Sequence, residues 1–187
     1  SACLVGSEMC IRDSGSLRKD SMNRKMAQAL AKLAPESLKL TIVEIGDLPL
    51  FNQDHENTPT PVVSDFKNKI KSANAVLFVT PEYNRSMPGV LKNAIDTGSR
   101  PYGQSAWSGK PGAVVSVSPG AVGGFGANHH LRQVLASVNV PTMPQPEAYI
   151  GNGGKLFDEK GDITEPSTAE FLKKFLIAFD LWIERNI

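Results

Sequence analysis

Three stretches of this chain carry residue types that hold a ligand rather than break a bond. The first, Gly15-Ser-Leu-Arg-Lys-Asp-Ser-Met-Asn23, runs into a helical pattern. It brings together the hydroxyls of Ser16 and Ser21, the guanidinium of Arg18, the amide of Asn23 and the backbone N–H groups of a helix start at Met22. Free N–H donors and the positive end of a helix dipole converge there, and Arg18 adds charge-assisted hydrogen bonds, so the loop suits a phosphate. Capping of the helix by Ser21 or Asp20 accounts for part of the same pattern. The Walker A spacing is absent. The arginine of a Cys-x5-Arg phosphatase loop starting at Cys10 would stand where the chain has Ser16. A loop without a nucleophile holds a phosphate and does not cleave it.

The second stretch is Pro81-Glu-Tyr-Asn-Arg-Ser-Met-Pro-Gly-Val-Leu-Lys-Asn-Ala-Ile-Asp96. Its two prolines stiffen the chain before a helix begins. Such a loop can offer backbone N–H and C=O groups to a flat heterocycle, with Tyr83 as a wall; an ordinary strand-to-helix connection is the plainer alternative. The third stretch, Ser116-Val-Ser-Pro-Gly-Ala-Val-Gly-Gly-Phe-Gly126, has glycines that let backbone approach a ligand closely, or that make a flexible turn. It is no dinucleotide fingerprint, because His129 stands where a third glycine is needed.

Alternating elements position these loops. Met22 to Leu33 has helical spacing, and Leu38 to Ile45 is a strand rich in β-branched residues. Gly46 to Thr60 is polar and turn-rich, and Pro61 opens a second helix with Val62, Phe66 and Ile70 on one face. The continuous apolar run within Asn74 to Thr80 reads as a strand buried on both faces. A third helix follows from Pro88 to about Thr97, then a buried strand from Gly112 to Val117. A fourth helix runs from His129 to Val138 and a last strand from Met143 to Ile150. Gly151 to Glu165 is an exposed excursion, and Ser167 to Ile187 closes the chain as a helix with Phe171, Phe175, Ala178, Phe179 and Trp182 on one side. The alternation gives an α/β class: one domain over 1–187, a parallel sheet with helices on both faces. Ligands of such sheets sit outside the carboxyl ends of the strands, where the three loops fall.

The first strand conflicts with this scheme. An apolar strand is needed before Gly15, and Glu8, Arg12 and Asp13 occupy positions a central strand would bury, at high cost for unpaired charges. The segment CLVGSEMCIRDS resembles a translated sequencing adapter, so roughly residues 1–14 are expected to be an assembly artefact standing in for the true strand.

Bulk properties narrow the function. Over 187 residues, charged residues are 21% and the net charge is +1, which calls for no nucleic-acid partner. No apolar run reaches the roughly 20 residues of a membrane span, and secretion is not expected. Cys3 and Cys10 read as unpaired thiols of a reducing compartment, which places the protein in the cytoplasm. His129 and His130, opening the fourth helix, have no further ligand at useful spacing, so no metal site is expected. Trp107 and Trp182 are expected in a core or interface, and Arg100 on the surface or against a nucleotide phosphate. No nucleophile is paired with a base, which argues against a hydrolase.

Together the strings GSLRxxSxN and PEYNxSxPGxLKNAID resemble the NADPH-dependent FMN reductase family, nearest to the bacterial chromate and quinone reductases, from Gly15 to the end of the chain. The resemblance implies a flavodoxin-like doubly wound five-stranded parallel sheet in the order 2-1-3-4-5, with FMN at the switch point. It implies that Ser16, Arg18, Ser21, Met22 and Asn23 bind the FMN phosphate. Pro81, Glu82, Tyr83 and Asn84 would hold the isoalloxazine, and Ser118 and Gly120 the third side. No catalytic side chain is expected, because the cofactor carries the chemistry. NADPH or NADH would be the donor, with ping-pong transfer to a small-molecule acceptor such as a quinone, a flavin, an azo compound or chromate. A homodimer or homotetramer is implied. A non-enzymatic FMN-binding electron carrier or redox sensor is the rival, disfavoured by the near-neutral charge.

Overall fold

The structure is a computed structural model that describes residues 7–12 and 21–187. Five strands, β1 (Ser7–Arg12), β2 (Leu38–Val43), β3 (Ala75–Thr80), β4 (Gly112–Val117) and β5 (Ala148–Ile150), form one sheet in the order β2-β1-β3-β4-β5. Every pairing is parallel, with Cys10 opposite Thr41 and Val76, and Val79 opposite Val115. Helices α1 (Met22–Leu33), α2 (Pro61–Ser72), α3 (Gly89–Ser99), α4 (Phe125–Ser137) and α5 (Pro166–Asn186) fill the connections and the C-terminus. Among the described residues no helix is long and apolar enough to cross a membrane.

Period-two alternation in β3 and β4 divides the interior into two cores. Leu77, Val79, Val115 and Val117 face α1 and α5, where Met26, Leu30, Phe175 and Phe179 meet them. Val76, Phe78 and Val114 face α2, α3 and α4, against Phe66, Leu91, Ile95, Leu131 and Leu135. All six residues of each of these two strands are buried, which is why both read as unbroken apolar runs. Trp107 anchors the second core, fully buried, with its indole N–H donated to the Ile95 carbonyl at 3.0 Å and its ring 6.1 and 6.0 Å from Phe66 and Phe78. Gly98 of α3 is a glycine for this reason: a Cβ there would lie 2.5 Å from the indole.

Several boundaries differ from expectation. β2 ends at Val43, and β5 shrinks from Met143–Ile150 to three residues. Pro144 and Pro146 lack the N–H groups that a ladder needs. α4 begins at Phe125, so His129 and His130 stand in its second turn and do not open it. The excursion after β5 is partly interior, with Leu156 6% exposed. α5 buries Leu172, Phe175, Leu176, Phe179 and Ile183, while Phe171, Ala178 and Trp182 pack at the margin. Trp182 donates to the Pro141 carbonyl at 2.9 Å.

Candidate cofactor site

At the carboxyl ends of the strands, the loop after β1 lies largely outside the described residues, and Ser16 and Arg18 with it. Its last member, Ser21, caps α1: the hydroxyl accepts from the Arg24 N–H at 3.3 Å. Asn23 is buried, and its amide nitrogen donates to the Val117 carbonyl at 3.5 Å, tying α1 to the end of β4. Met22 reaches the turn after β5, where a Cβ on Gly153 would come within 3.1 Å of its sulfur. Asn23 Oδ1 is buried and has no hydrogen-bond partner among the described residues.

The loop after β3 is a tight two-residue turn. Tyr83 and Ser86 exchange both backbone hydrogen bonds, at 2.9 and 3.0 Å, around Asn84 and Arg85 at φ 51° and 66°. Two successive positive φ values make a type I′ turn, and asparagine tolerates the first of them well. Thr80 Oγ1 donates to the Pro81 carbonyl at 2.9 Å. Glu82, expected to act through its backbone, uses its side chain as well. Its Oε2 accepts from the Ala127 N–H in the first turn of α4 at 3.0 Å, and Arg85 Nη1 stands 3.6 Å from Oε1. A carboxylate at a helix N-terminus satisfies an orphan donor and meets the favourable end of the dipole. Glu82 thus locks the loop after β3 to the loop after β4. Gly126 permits the approach, since a Cβ there would sit 3.1 Å from the Arg85 carbonyl oxygen. Tyr83 stays exposed beside this joint.

The third loop is folded onto the end of β5. Ser118 N–H donates to the Ile150 carbonyl, and Gly153 N–H to the Ser118 carbonyl, both at 3.0 Å. Ser118 Oγ donates to the Gly120 carbonyl at 3.1 Å. Gly123, at φ 64°, passes so near β5 that a Cβ would meet the Tyr149 backbone at 2.5 Å. The start of α1 and the loops after β3 and β4 therefore share one end of the sheet, tied there by Asn23 and Glu82.

Two groups were invisible to local pattern. Asn128, fully buried, donates to Ser116 Oγ and the Ala148 carbonyl at 3.3 Å and accepts from Arg132 Nε at 2.9 Å, and Arg132 Nη1 donates to the Met143 carbonyl. The i,i+4 spacing of asparagine and arginine was the one available signal. Outside it, Phe125, His129 and Tyr149 form an aromatic group, with His129 Nε2 2.9 Å from the Tyr149 hydroxyl. Burial, then a hydrogen bond to Glu147, pushes the Tyr149 phenol above its ordinary range. His130 Nδ1 pairs with Ser86 Oγ at 2.7 Å. Arg100 is half-buried, and its Nε donates to Glu56 at 2.8 Å in an ion pair.

This chemistry fits FMN. The unpartnered Asn23 Oδ1 is an acceptor, and a hydroxyl-bearing ribityl chain supplies the donor that such a buried atom requires. The Asn23 amide nitrogen donates one hydrogen bond to the Val117 carbonyl and keeps a second N–H.

Comparison with known proteins agrees. Residues 14–155 match the family described as NADPH-dependent FMN reductase. A quinone reductase of Pseudomonas putida is 60% identical over 173 residues, 92% of each chain. The structure of FerB, a flavoenzyme NAD(P)H:(acceptor) oxidoreductase from Paracoccus denitrificans, superposes with a TM-score of 0.90 at 43% identity, covering 96% of this chain and 98% of that one. A flavodoxin from Pseudomonas aeruginosa shares the fold at a TM-score of 0.58 and 16% identity, over 95% and 99% of the two chains. A flavodoxin-like α/β sheet, cross-tied loops at its carboxyl end and these relatives together place the chain in the NADPH-dependent FMN reductase family.

Proposed function

We propose that this protein is an FMN-dependent NAD(P)H oxidoreductase acting on quinones. The observation that carries the reading is that the start of α1 is tied to the end of β4 through Asn23, and the loop after β3 to the start of α4 through Glu82, in a chain that is 60% identical to a quinone reductase. The bound flavin would supply hydride acceptance and donation.

The chain's own residues bind, orient and enclose. Ser16, Arg18, Ser21 and Met22 hold the phosphate at the start of α1, and Asn23 Oδ1 accepts from the ribityl chain. The turn of Pro81, Glu82, Tyr83 and Asn84 presents backbone to the ring, and Glu82 fixes that turn against α4 through Ala127. Ser118 and Gly120 close the third side, held by Ile150 and Gly153. The doubly wound 2-1-3-4-5 strand order puts all three at one switch point. Donor and acceptor would share the opening beside exposed Tyr83, so double-reciprocal plots should be parallel. Flavins, azo compounds and chromate are further candidate acceptors for the same opening. We place the protein in the cytoplasm as a homodimer or homotetramer.

The first experiment is the absorbance spectrum of the purified protein, followed by anaerobic NADPH. A flavin spectrum bleached in one two-electron step, with electrons recovered on a benzoquinone, is the expected result. Colourless protein that does not take up added FMN would overturn the reading.

A further inference from the structure

A cavity of about 240 Å³ lies between loop 49–60, the first half of α2 and the last turn of α3. It is separate from the cofactor loops. The loop after β3 runs into α3 at its N-terminal end, and the cavity lies at the other end of this eleven-residue helix, about 16 Å away at 1.5 Å per residue.

The walls are fixed. Asn93, at the middle of α3, accepts from the Phe51 N–H at 2.7 Å and donates to the Pro49 carbonyl at 2.9 Å, pinning the loop over the helix. Arg100 and Glu56 close the far side with their 2.8 Å ion pair. The interior is two-faced. Leu50, Phe51, Pro59 and Val63 make an apolar side. At the end of α3, Thr97 is 6% exposed and its hydroxyl has no hydrogen-bond partner among the described residues. The Lys67 ammonium stands at that same end, donating one hydrogen bond to the Arg100 carbonyl. The Arg100–Glu56 pair cancels, so Lys67 leaves one positive charge there. Burial, with the nearby Lys71 charge, draws the Lys67 pKa down, a cost that an anion would relieve.

We infer that this cavity is a binding site for a small one-ring aromatic carboxylate, with its ring against Phe51, Pro59 and Val63 and its carboxylate at Thr97 and Lys67. The volume falls below the roughly 300–1,000 Å³ of pockets for drug-sized ligands, which limits the occupant to about one ring. The residual positive charge and the unused Thr97 donor select an anion over a neutral amide.

The test is calorimetric titration of the FMN-loaded protein with benzoate, and with benzamide as the neutral isostere. We expect 1:1 binding of benzoate, at least tenfold tighter than benzamide, with no change in the flavin absorbance and no competition with the quinone. Lys67→Met should weaken benzoate tenfold or more, and Thr97→Val about threefold, while benzamide is little affected by Lys67→Met. Val63→Trp, which fills the apolar side, should abolish binding. The inference is overturned if the wild-type protein gives no binding heat, or if affinity is unchanged in both Lys67→Met and Val63→Trp. It is equally overturned if benzoate competes with the quinone, which would put the ligand at the flavin site. The binding heats and the responses of the Lys67, Thr97 and Val63 variants do not depend on the protein being a quinone reductase; only the competition arm does.

Discussion

At the scale of single residues, Glu82 joins two otherwise separate loops. Glu82→Ala would leave the Ala127 N–H without its acceptor and free the Tyr83 turn from α4. The expected loss is about 1–2 kcal/mol of folding stability, as for a lost N-cap, together with weaker FMN binding. Glu82→Gln keeps an acceptor oxygen and should retain most of both. Urea unfolding and quenching of FMN fluorescence measure the two effects, and an alanine variant with unchanged FMN affinity would show that the joint does not shape the site. Arg18 gives a complementary case. Arg18→Ala should weaken FMN binding yet barely slow turnover in flavin-saturated enzyme, if its role is to hold the phosphate. Tyr149 makes a pH prediction. Its phenol is held above the ordinary value of 10.0 in the folded protein, by burial first and by Glu147 second. The unfolded chain therefore loses this proton at lower pH than the native one, and stability should fall as pH rises through and beyond about 10. Tyr149→Phe should flatten that part of a stability–pH curve; an unaltered slope would assign the alkaline loss to other groups.

At the scale of elements, the contact between α3 and the Trp107 segment sets two effects against each other. Gly98→Ala gains up to about 1 kcal/mol of helix propensity. The new methyl, however, would meet an indole held between Phe66 and Phe78 and hydrogen-bonded to Ile95. Overpacking of a fixed core ring costs about 1–3 kcal/mol, so the variant should be less stable in urea unfolding. A gain in stability would mean that Trp107 is free to move. The elements also show what a sequence reveals. β3 and β4 were legible because both faces are buried, leaving an unbroken apolar run with turn signals at each end. β5 was overextended because apolar content outweighed Pro144 and Pro146. The start of α4 was hidden by Gly123, Gly124 and Gly126, which look like loop but serve close approach to β5 and Glu82. In α5, the large aromatics drew attention from the true stripe of Leu172, Phe175, Leu176, Phe179 and Ile183. The loops after β3 and β4 could be delimited by residue type. Their cross-ties could not, because Glu82 with Ala127 and Asn23 with Val117 join residues 45 and 94 positions apart.

At the scale of the molecule, two cores back a single sheet, and β1 is an interior strand between β2 and β3. The other interior strands, AVLFVT and GAVVSV, contain no charge. β1 reads SEMCIR, with Glu8 and Arg12 in a position where strands are covered on both faces. Two charges in the sequence of an interior strand are out of keeping with the apolar strands β3 and β4 of the same sheet. The family match begins at residue 14, just beyond it. We propose that roughly residues 1–14 are foreign to this fold and occupy the place of an apolar native strand. The stability consequence is testable without knowing that strand: Glu8→Val with Arg12→Val should raise the urea midpoint and tighten FMN binding, because the phosphate loop departs from the end of β1. A fall in stability would mean that the two charges are paired in the folded protein and belong to it. Resequencing the source gene gives an independent arm, and recovery of the codons for SEMCIR in the native reading frame would end the proposal.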